Sequence, residues 1–203
     1  VENKSSYVDI TTKARLRCKS PTVDLLFPEI GVVMNDDDGA PPVLIIGAGP
    51  TGLAAALELS RMGIDVRIVD QRSEPSSTSR ALGVQARTLE LLRPRGVGDD
   101  MLRLGNRAHR TALHADGQRI AGIDFGRMHS QFNFILLLAQ SETERLLAEQ
   151  VARQGVKVER GVRFSSLTER PNSVEVVFTG PDGTTETVEA SYAIAADGSP
   201  TPI

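Results

Sequence analysis

Tryptophan is absent from this 203-residue chain, tyrosine occurs twice and phenylalanine six times, so there is little aromatic surface on which bases could stack. Lys and Arg number 23 against 26 Asp and Glu, a formal net charge of −3 without the basic excess that a phosphate backbone attracts. No nucleic-acid partner is therefore expected. A single cysteine, Cys18, excludes an internal disulfide and fits a reducing compartment. His109, His114 and His129 stand at no metal-ligand or catalytic spacing, so no metal site is expected either. No apolar run approaches the roughly 20 residues that cross a bilayer, and no basic-then-apolar leader opens the chain. The expectation is a cytoplasmic protein with no membrane partner. What is present, 40% hydrophobic and 24% charged residues, suffices for one sizeable core.

The strongest pattern is VLIIGAGPTGLAAALELSRMGIDVRIVD, from Val43 to Asp70. Val43 to Ile46 are continuously apolar between Pro42 and Gly47, as in a parallel strand buried on both faces. Gly47, Gly49 and Gly52 follow at GxGxxG spacing. Gly47 permits a tight turn, Gly49 lets a pyrophosphate lie against bare backbone, and Gly52 lets the next helix pack close to the strand. The Ala- and Leu-rich stretch after Pro50 favours that helix, and Gly63 ends it in a left-handed cap. Unpaired amides and the positive end of the helix dipole then converge on the turn, worth about 0.3–1 kcal/mol per anionic charge at a surface. Val66 to Val69 read as a second strand, and Asp70 closes it about 20 residues after the glycines, where a carboxylate accepts from a ribose hydroxyl. Strand, turn, helix, strand and acid together make a dinucleotide-binding βαβ unit.

Upstream, residues 1–33 lack the period of a strand or helix, whereas Met34 runs through the acidic NDDDGAPP straight into the first strand. Met34 therefore reads as the natural start. Residues 1–33 read as an extension, with a regulatory or oligomerising arm as the competing reading, and residues 34–203 as the nucleotide-binding domain.

Downstream, Gln71 to Ser79 form a polar loop, and Arg80 to Leu92 read as a helix with Leu89 and Leu92 on its apolar face, closed by Pro94 and Gly96. Arg80 is in sequence range of the phosphate site, where a guanidinium neutralises pyrophosphate by forked hydrogen bonds; a solvated loop charge is the plainer alternative. Gly96 to Leu104 read as a short helix whose Met101, Leu102 and Leu104 belong to the core. Asp116-Gly117 between strand-like segments predicts a hairpin. Phe134 to Leu138 predict a strand, and Ser141 with Glu144 a capping box for the helix that Gly155 closes. Gln140 stands at that strand-to-helix corner. If the strand is parallel to the first, Gln140 opens on the same crevice as the glycine turn; otherwise it is a solvent-facing amide. Val156 to Glu159 supply a short strand, three alternating segments from Phe164 to Ala190 an antiparallel meander, and Tyr192 to Ala196 a last buried strand. The last strand delivers Asp197-Gly198, which serves either to hold a ligand or simply to turn the chain.

GAGPTG, Asp70, the SRALGVQARTLELL segment, Gln140 and the AADG ending, in this order, resemble the FAD-dependent aromatic-ring monooxygenases, the phenol hydroxylase-like flavoproteins. Several flavin hydroxylases and epoxidases share these marks, and the alternatives are another FAD-dependent oxidoreductase of the same superfamily, an epoxidase or a reductase, or a catalytically inactive FAD-binding fragment. The resemblance implies an α/β fold, a Rossmann-like FAD-binding domain of glutathione-reductase type, with a parallel sheet, helices and a three-stranded meander, incomplete at its C-terminus. It implies FAD as cofactor, NAD(P)H as co-substrate, a small aromatic substrate and, in full-length relatives, a homodimer. Gly47, Gly49, Pro50, Thr51 and Gly52 would hold the pyrophosphate and Asp70, with Gln71, the adenosine ribose. Arg80 would meet the phosphate and ribityl region, Gln140 the ribityl chain, and Asp197-Gly198 FAD and the nicotinamide that reaches it. No residue of the chain is expected to act as nucleophile or general base. Two departures stand out: Asp70 replaces the family's more usual glutamate, and Ser199-Pro200 replaces the small residue, Arg and Ser that follow the DG pair.

Overall fold

In the computed structural model, residues 43–75 and 83–198 are described; the expectations for residues 1–42 and for Arg80 lie outside them. In chain order come β1 (Val43–Ile46), α1 (Pro50–Arg61), β2 (Val66–Asp70), β3 (Gly83–Val84), α2 (Ala86–Leu92), α3 (Gly98–Leu104) and β4 (Asn106–Ala108). Next are β5 (Arg110–Ala115), β6 (Gln118–Asp124), β7 (Ile135–Leu137) and α4 (Gln140–Arg153). The chain continues with β8 (Val158–Arg160), β9 (Arg163–Glu169), β10 (Val174–Thr179), β11 (Thr185–Ala190) and β12 (Tyr192–Ala195).

The apolar run predicted as a doubly buried strand is the inner strand of a parallel sheet ordered β12-β1-β2-β8. Val43 is in register with Tyr192 on one side and Val66 on the other. Strand periodicity sends Val43 and Ile45 to one face and Leu44 and Ile46 to the other. Val43 and Ile45 pack with Leu53 and Leu57 of α1, Ile68 of β2, and Leu147 and Val151 of α4. Leu44, Ile46 and Val69 pack with Val176, Phe178 and Val188 of the antiparallel meander β11-β10-β9. Three layers result, helices over sheet over meander. Each fully buried aliphatic side chain contributes roughly 1.5–3 kcal/mol to holding them together. Arg67 of β2 fastens the layers at their rim, bonding Glu159 of β8 at 2.8 Å and Glu186 of β11 at 2.7 Å while its guanidinium lies 5.7 Å from the centroid of the Phe178 ring. These two carboxylates raise the Arg67 pKa still further above its ordinary value.

Four sequence expectations are corrected. The strand at Ile135–Leu137 does not join the parallel sheet; it lies antiparallel between β3 and β4. An apolar run of this length reports burial and not strand direction. The helix expected from Arg80 begins only at Ala86, after Gly83–Val84 have paired with Leu137 and Leu136. The capping box of α4 does not form: Ala139 is the N-cap, no side chain caps it, and Glu144 instead accepts from Gln140 Nε2 at 2.8 Å. Leu104, assigned to the core, is 43% exposed on the last turn of α3. The hairpin forms as read, with Asp116 at φ 50° and Gly117 at φ 75°, the left-handed pair of a two-residue hairpin turn.

Candidate nucleotide-binding site

At the carboxyl end of β1 the chain turns at Gly47, where φ is +106°. The Gly47 amide donates to the Val69 carbonyl at 2.8 Å, and the Ala196 amide donates to the Ile46 carbonyl at 2.7 Å, so the turn hangs between the ends of β2 and β12. A Cβ at Gly47 would stand 2.4 Å from the Ala196 carbonyl oxygen, and one at Gly52 would stand 1.9 Å from the Gly47 carbonyl oxygen. At Gly49 it would meet nothing within 4 Å. Two glycines are thus required by the protein itself, while the third leaves open a face of backbone that nothing in the described chain fills. Such a face is a cradle for an approaching ligand.

Gly49 is also the N-cap of α1, in extended conformation, with no side chain capping the helix and no acid in its first turn. Pro50, at the first helical position, brings no amide hydrogen, and Thr51 beside it is exposed. The first-turn amides and the helix dipole are left to favour an anion at that open face.

Asp70 ends β2 with only 4% exposure. Its Oδ2 accepts from the Ala48 amide at 2.7 Å and from Arg72 Nη2 at 3.0 Å, and its Oδ1 from the Arg72 amide at 2.8 Å and Arg72 Nε at 3.1 Å. Burial opposes ionisation, but the Arg72 guanidinium and the backbone amides of Arg72 and Ala48 outweigh it and hold the carboxyl below the usual carboxylate range. The residue thus ties the glycine turn to the end of β2. Its guanidinium partner, Arg72, is 39% exposed. Gln71, between the two, is exposed. Ala48 and Arg72 are partners that sequence reasoning missed; an aspartate's tendency to accept from the backbone amide two residues on is the local signal for Arg72, and the Ala48 contact, 22 residues away, has none.

On the other side of the turn, Asp197 follows β12, and its amide nitrogen would lie 2.6 Å from a Gly47 Cβ. Its Oδ1 is buried and has no hydrogen-bond partner, an orphaned acceptor of a kind that native structures rarely leave. Gly198 is exposed with φ +90°. Gln140 reaches the same end of the sheet by a route the sequence did not show. Both α1 and α4 run antiparallel to the strands they feed, β2 and β8, and the two helices lie side by side. Their N-termini therefore share the carboxyl end, although β7 is not parallel. The opposite end of the sheet carries an open groove of about 400 Å³ lined by Ser60, Asp65, Gln154 and Lys157. Neither orphaned buried atom belongs to a residue lining it.

This geometry, an open glycine face at an uncapped helix start with the buried Asp70 on one side of the turn and the half-buried Asp197 on the other, matches that of dinucleotide-binding proteins. The family model described as FAD binding domain matches residues 41–203, and the chain belongs to that family. It is similar to 6-methylpretetramide 4-monooxygenase of Streptomyces rimosus, 36% identical over 168 residues that make up 82% of this chain and 30% of the relative. Pentachlorophenol 4-monooxygenase of Sphingobium chlorophenolicum is 31% identical over 158 residues, 77% of this chain and 29% of that one. Among solved structures, the anhydrotetracycline hydroxylase OxyS from Streptomyces rimosus superposes with a TM-score of 0.68 at 33% identity, covering 77% of this chain and 31% of its own. The chain therefore spans about 30% of the length of the curated relatives it matches.

Proposed function

We propose that these residues hold the ADP half of FAD within a flavin-dependent monooxygenase that hydroxylates a small phenol-like aromatic using NAD(P)H and O2. The observation that carries the reading is the open face of Gly49 at the uncapped start of α1. The residues present fit the group: Asp197, with its orphaned Oδ1, stands beside Gly47, and the Arg72-shielded Asp70 bonds the Ala48 amide, one on each side of the glycine turn. When bound, FAD supplies the redox chemistry, taking hydride from the nicotinamide and activating oxygen. The protein's own residues bind and orient. Gly47, Gly49, Pro50, Thr51 and Gly52 present backbone to the pyrophosphate, Asp70 and Gln71 meet the ribose, Gln140 and Arg80 meet the ribityl-phosphate stretch, and Asp197-Gly198 support the flavin end. The named relatives are monooxygenases, which supports the same reaction class here. A homodimer is a further part of the reading and rests on the family resemblance; a cytoplasmic location rests on the single cysteine.

Calorimetric titration tests the binding step. FAD and ADP should bind, and FMN, which lacks the adenosine that Asp70 serves, should bind more weakly than FAD. Equal affinity for FMN and FAD overturns the assignment. On this reading the residues named hold the ADP half and meet the rest of the cofactor only along the ribityl chain and at the flavin's edge, so this chain supplied with FAD, NADPH and a panel of phenols should yield no hydroxylated arene, and reduced flavin left in water should release peroxide instead. Stoichiometric hydroxylated product above a free-flavin control would sink the division of labour proposed here.

A further inference from the structure

Arg160 closes β8, the edge strand of the parallel sheet, and plays no part in the site as described so far. Its Cα is in register with that of Asp70 on the neighbouring strand β2. Paired residues on adjacent parallel strands present their side chains to the same face of the sheet, so Arg160 and Asp70 share the helix-side face at the carboxyl end. Backbone bonds fix this corner. Val162 N–H donates to the Asp70 carbonyl and Gly161 N–H to the Arg72 carbonyl, both at 3.1 Å, so the chain leaving Arg160 wraps the segment that carries the ribose-site carboxylate.

Arg160 Nη1 is buried and without a hydrogen-bond partner; among the described residues only one other side-chain atom, Asp197 Oδ1, shares that condition. Asp70, the acid in register with it, does not pair with it; the Asp70 oxygens accept from Ala48 and Arg72. A buried, unpaired donor on a cation is more destabilising than one on a neutral group, so a fold that keeps one calls for a partner. The two orphans are of opposite kind and bracket the glycine turn. Asp197, an acceptor, follows β12 on one side of β1, and Arg160, a donor, ends β8, which is separated from β12 by the two strands β1 and β2.

We infer that Arg160 is a binding residue for the adenosine half of the dinucleotide, donating to an acceptor atom of the adenine ring while Asp70 accepts from the ribose hydroxyls. This assignment rests on the nucleotide-binding reading above and names a residue that reading did not include. Donor and acceptor on neighbouring strands then distinguish base from sugar. An adenosine ligand satisfies both, whereas a bare diphosphate satisfies neither.

The test is calorimetric titration of the wild-type chain and Arg160→Met with ADP and with inorganic pyrophosphate, together with thermal melting of each protein without ligand. Losing one charge-assisted bond should weaken ADP binding tenfold or more while leaving pyrophosphate binding within about twofold. The ligand-free midpoint should stay the same or rise, since the substitution removes an unpaired buried donor. Equal ADP affinity in the two proteins, a parallel loss of pyrophosphate binding, or a midpoint lowered by several degrees each overturns the assignment. The last would give Arg160 a structural duty and the second a general electrostatic one. If the wild-type chain binds no ADP, the nucleotide-binding reading itself fails, an outcome separate from a wild type that binds and a variant that binds equally well.

Discussion

The glycine turn and the β5–β6 hairpin carry equally strong local signals, yet they end in opposite environments. The residues from Val43 to Ala48 are all buried, and two of the three motif glycines are locked by backbone closer than any Cβ allows. Every residue of β5 and β6 is exposed, including Leu113 at 60%, Ile120 at 59% and Ile123 at 58%, and the two strands pair only with each other among the described residues. A glycine in a turn thus has two distinct meanings. Gly117 supplies a left-handed conformation in open space, whereas Gly52 removes a side chain from a place where another chain segment already lies.

The largest effect that sharpens this contrast is expected at Gly52. Gly52→Val forces a branched side chain against the Gly47 carbonyl and should destabilise the protein by about 3 kcal/mol, the upper end of ordinary overpacking. Gly117→Ala should strain only the hairpin tip, leaving global unfolding by denaturant within about 0.5 kcal/mol of wild type. Equal losses from the two substitutions would show that the hairpin is coupled to the core after all.

A smaller effect follows from Asp70. Its depressed pKa means that its contribution to stability is fully present above the unfolded carboxylate value of about 3.9 and is lost as pH falls through the lower folded value. Asp70→Asn should therefore be less stable than wild type by about 1–3 kcal/mol at pH 7, with the gap narrowing in denaturation series taken below pH 4. A gap that stays constant down to pH 2 would assign the loss to packing and not to charge.

The smallest structural effect, with a clear functional one, is expected at Gly49. Its backbone is extended and a Cβ has room, so Gly49→Ala should leave the thermal midpoint unchanged or slightly raised. The methyl group would occupy the open face proposed for the pyrophosphate, and ADP binding should weaken by roughly tenfold, about 1.4 kcal/mol. Loss of stability without loss of binding would place Gly49 with Gly47 and Gly52 as a packing glycine.

Much of this site is legible in the sequence because its parts lie within one βαβ unit. The spacing of Gly47, Gly49 and Gly52, the helix after Pro50 and the acid at Asp70 are all fixed by short-range chemistry, and each element appears where the pattern puts it. The same local rules yield the meander and the Asp116-Gly117 turn. Where the local pattern is ambiguous it misleads: a short apolar run does not state its neighbours, so the β7 segment is compatible with a parallel sheet it does not join, and an S-x-x-E match does not guarantee that a helix begins there.

Sequence alone determined that this chain builds a glycine-turn nucleotide fold, because turn sterics, helix propensity and strand periodicity act over a few residues. Only the tertiary structure decided how the motif residues are employed. Gly47 proved to be required by Ala196, nearly 150 residues away. Asp70 proved to be shielded by Arg72, and Gln140 reached the carboxyl end of the sheet through the direction of α4. Arg160, unremarkable in the sequence, became a donor without a partner once β8 paired with β2. Burial and partnership depend on which strands meet, and that is settled by the packing of the whole core against the sheet and not by any window of sequence.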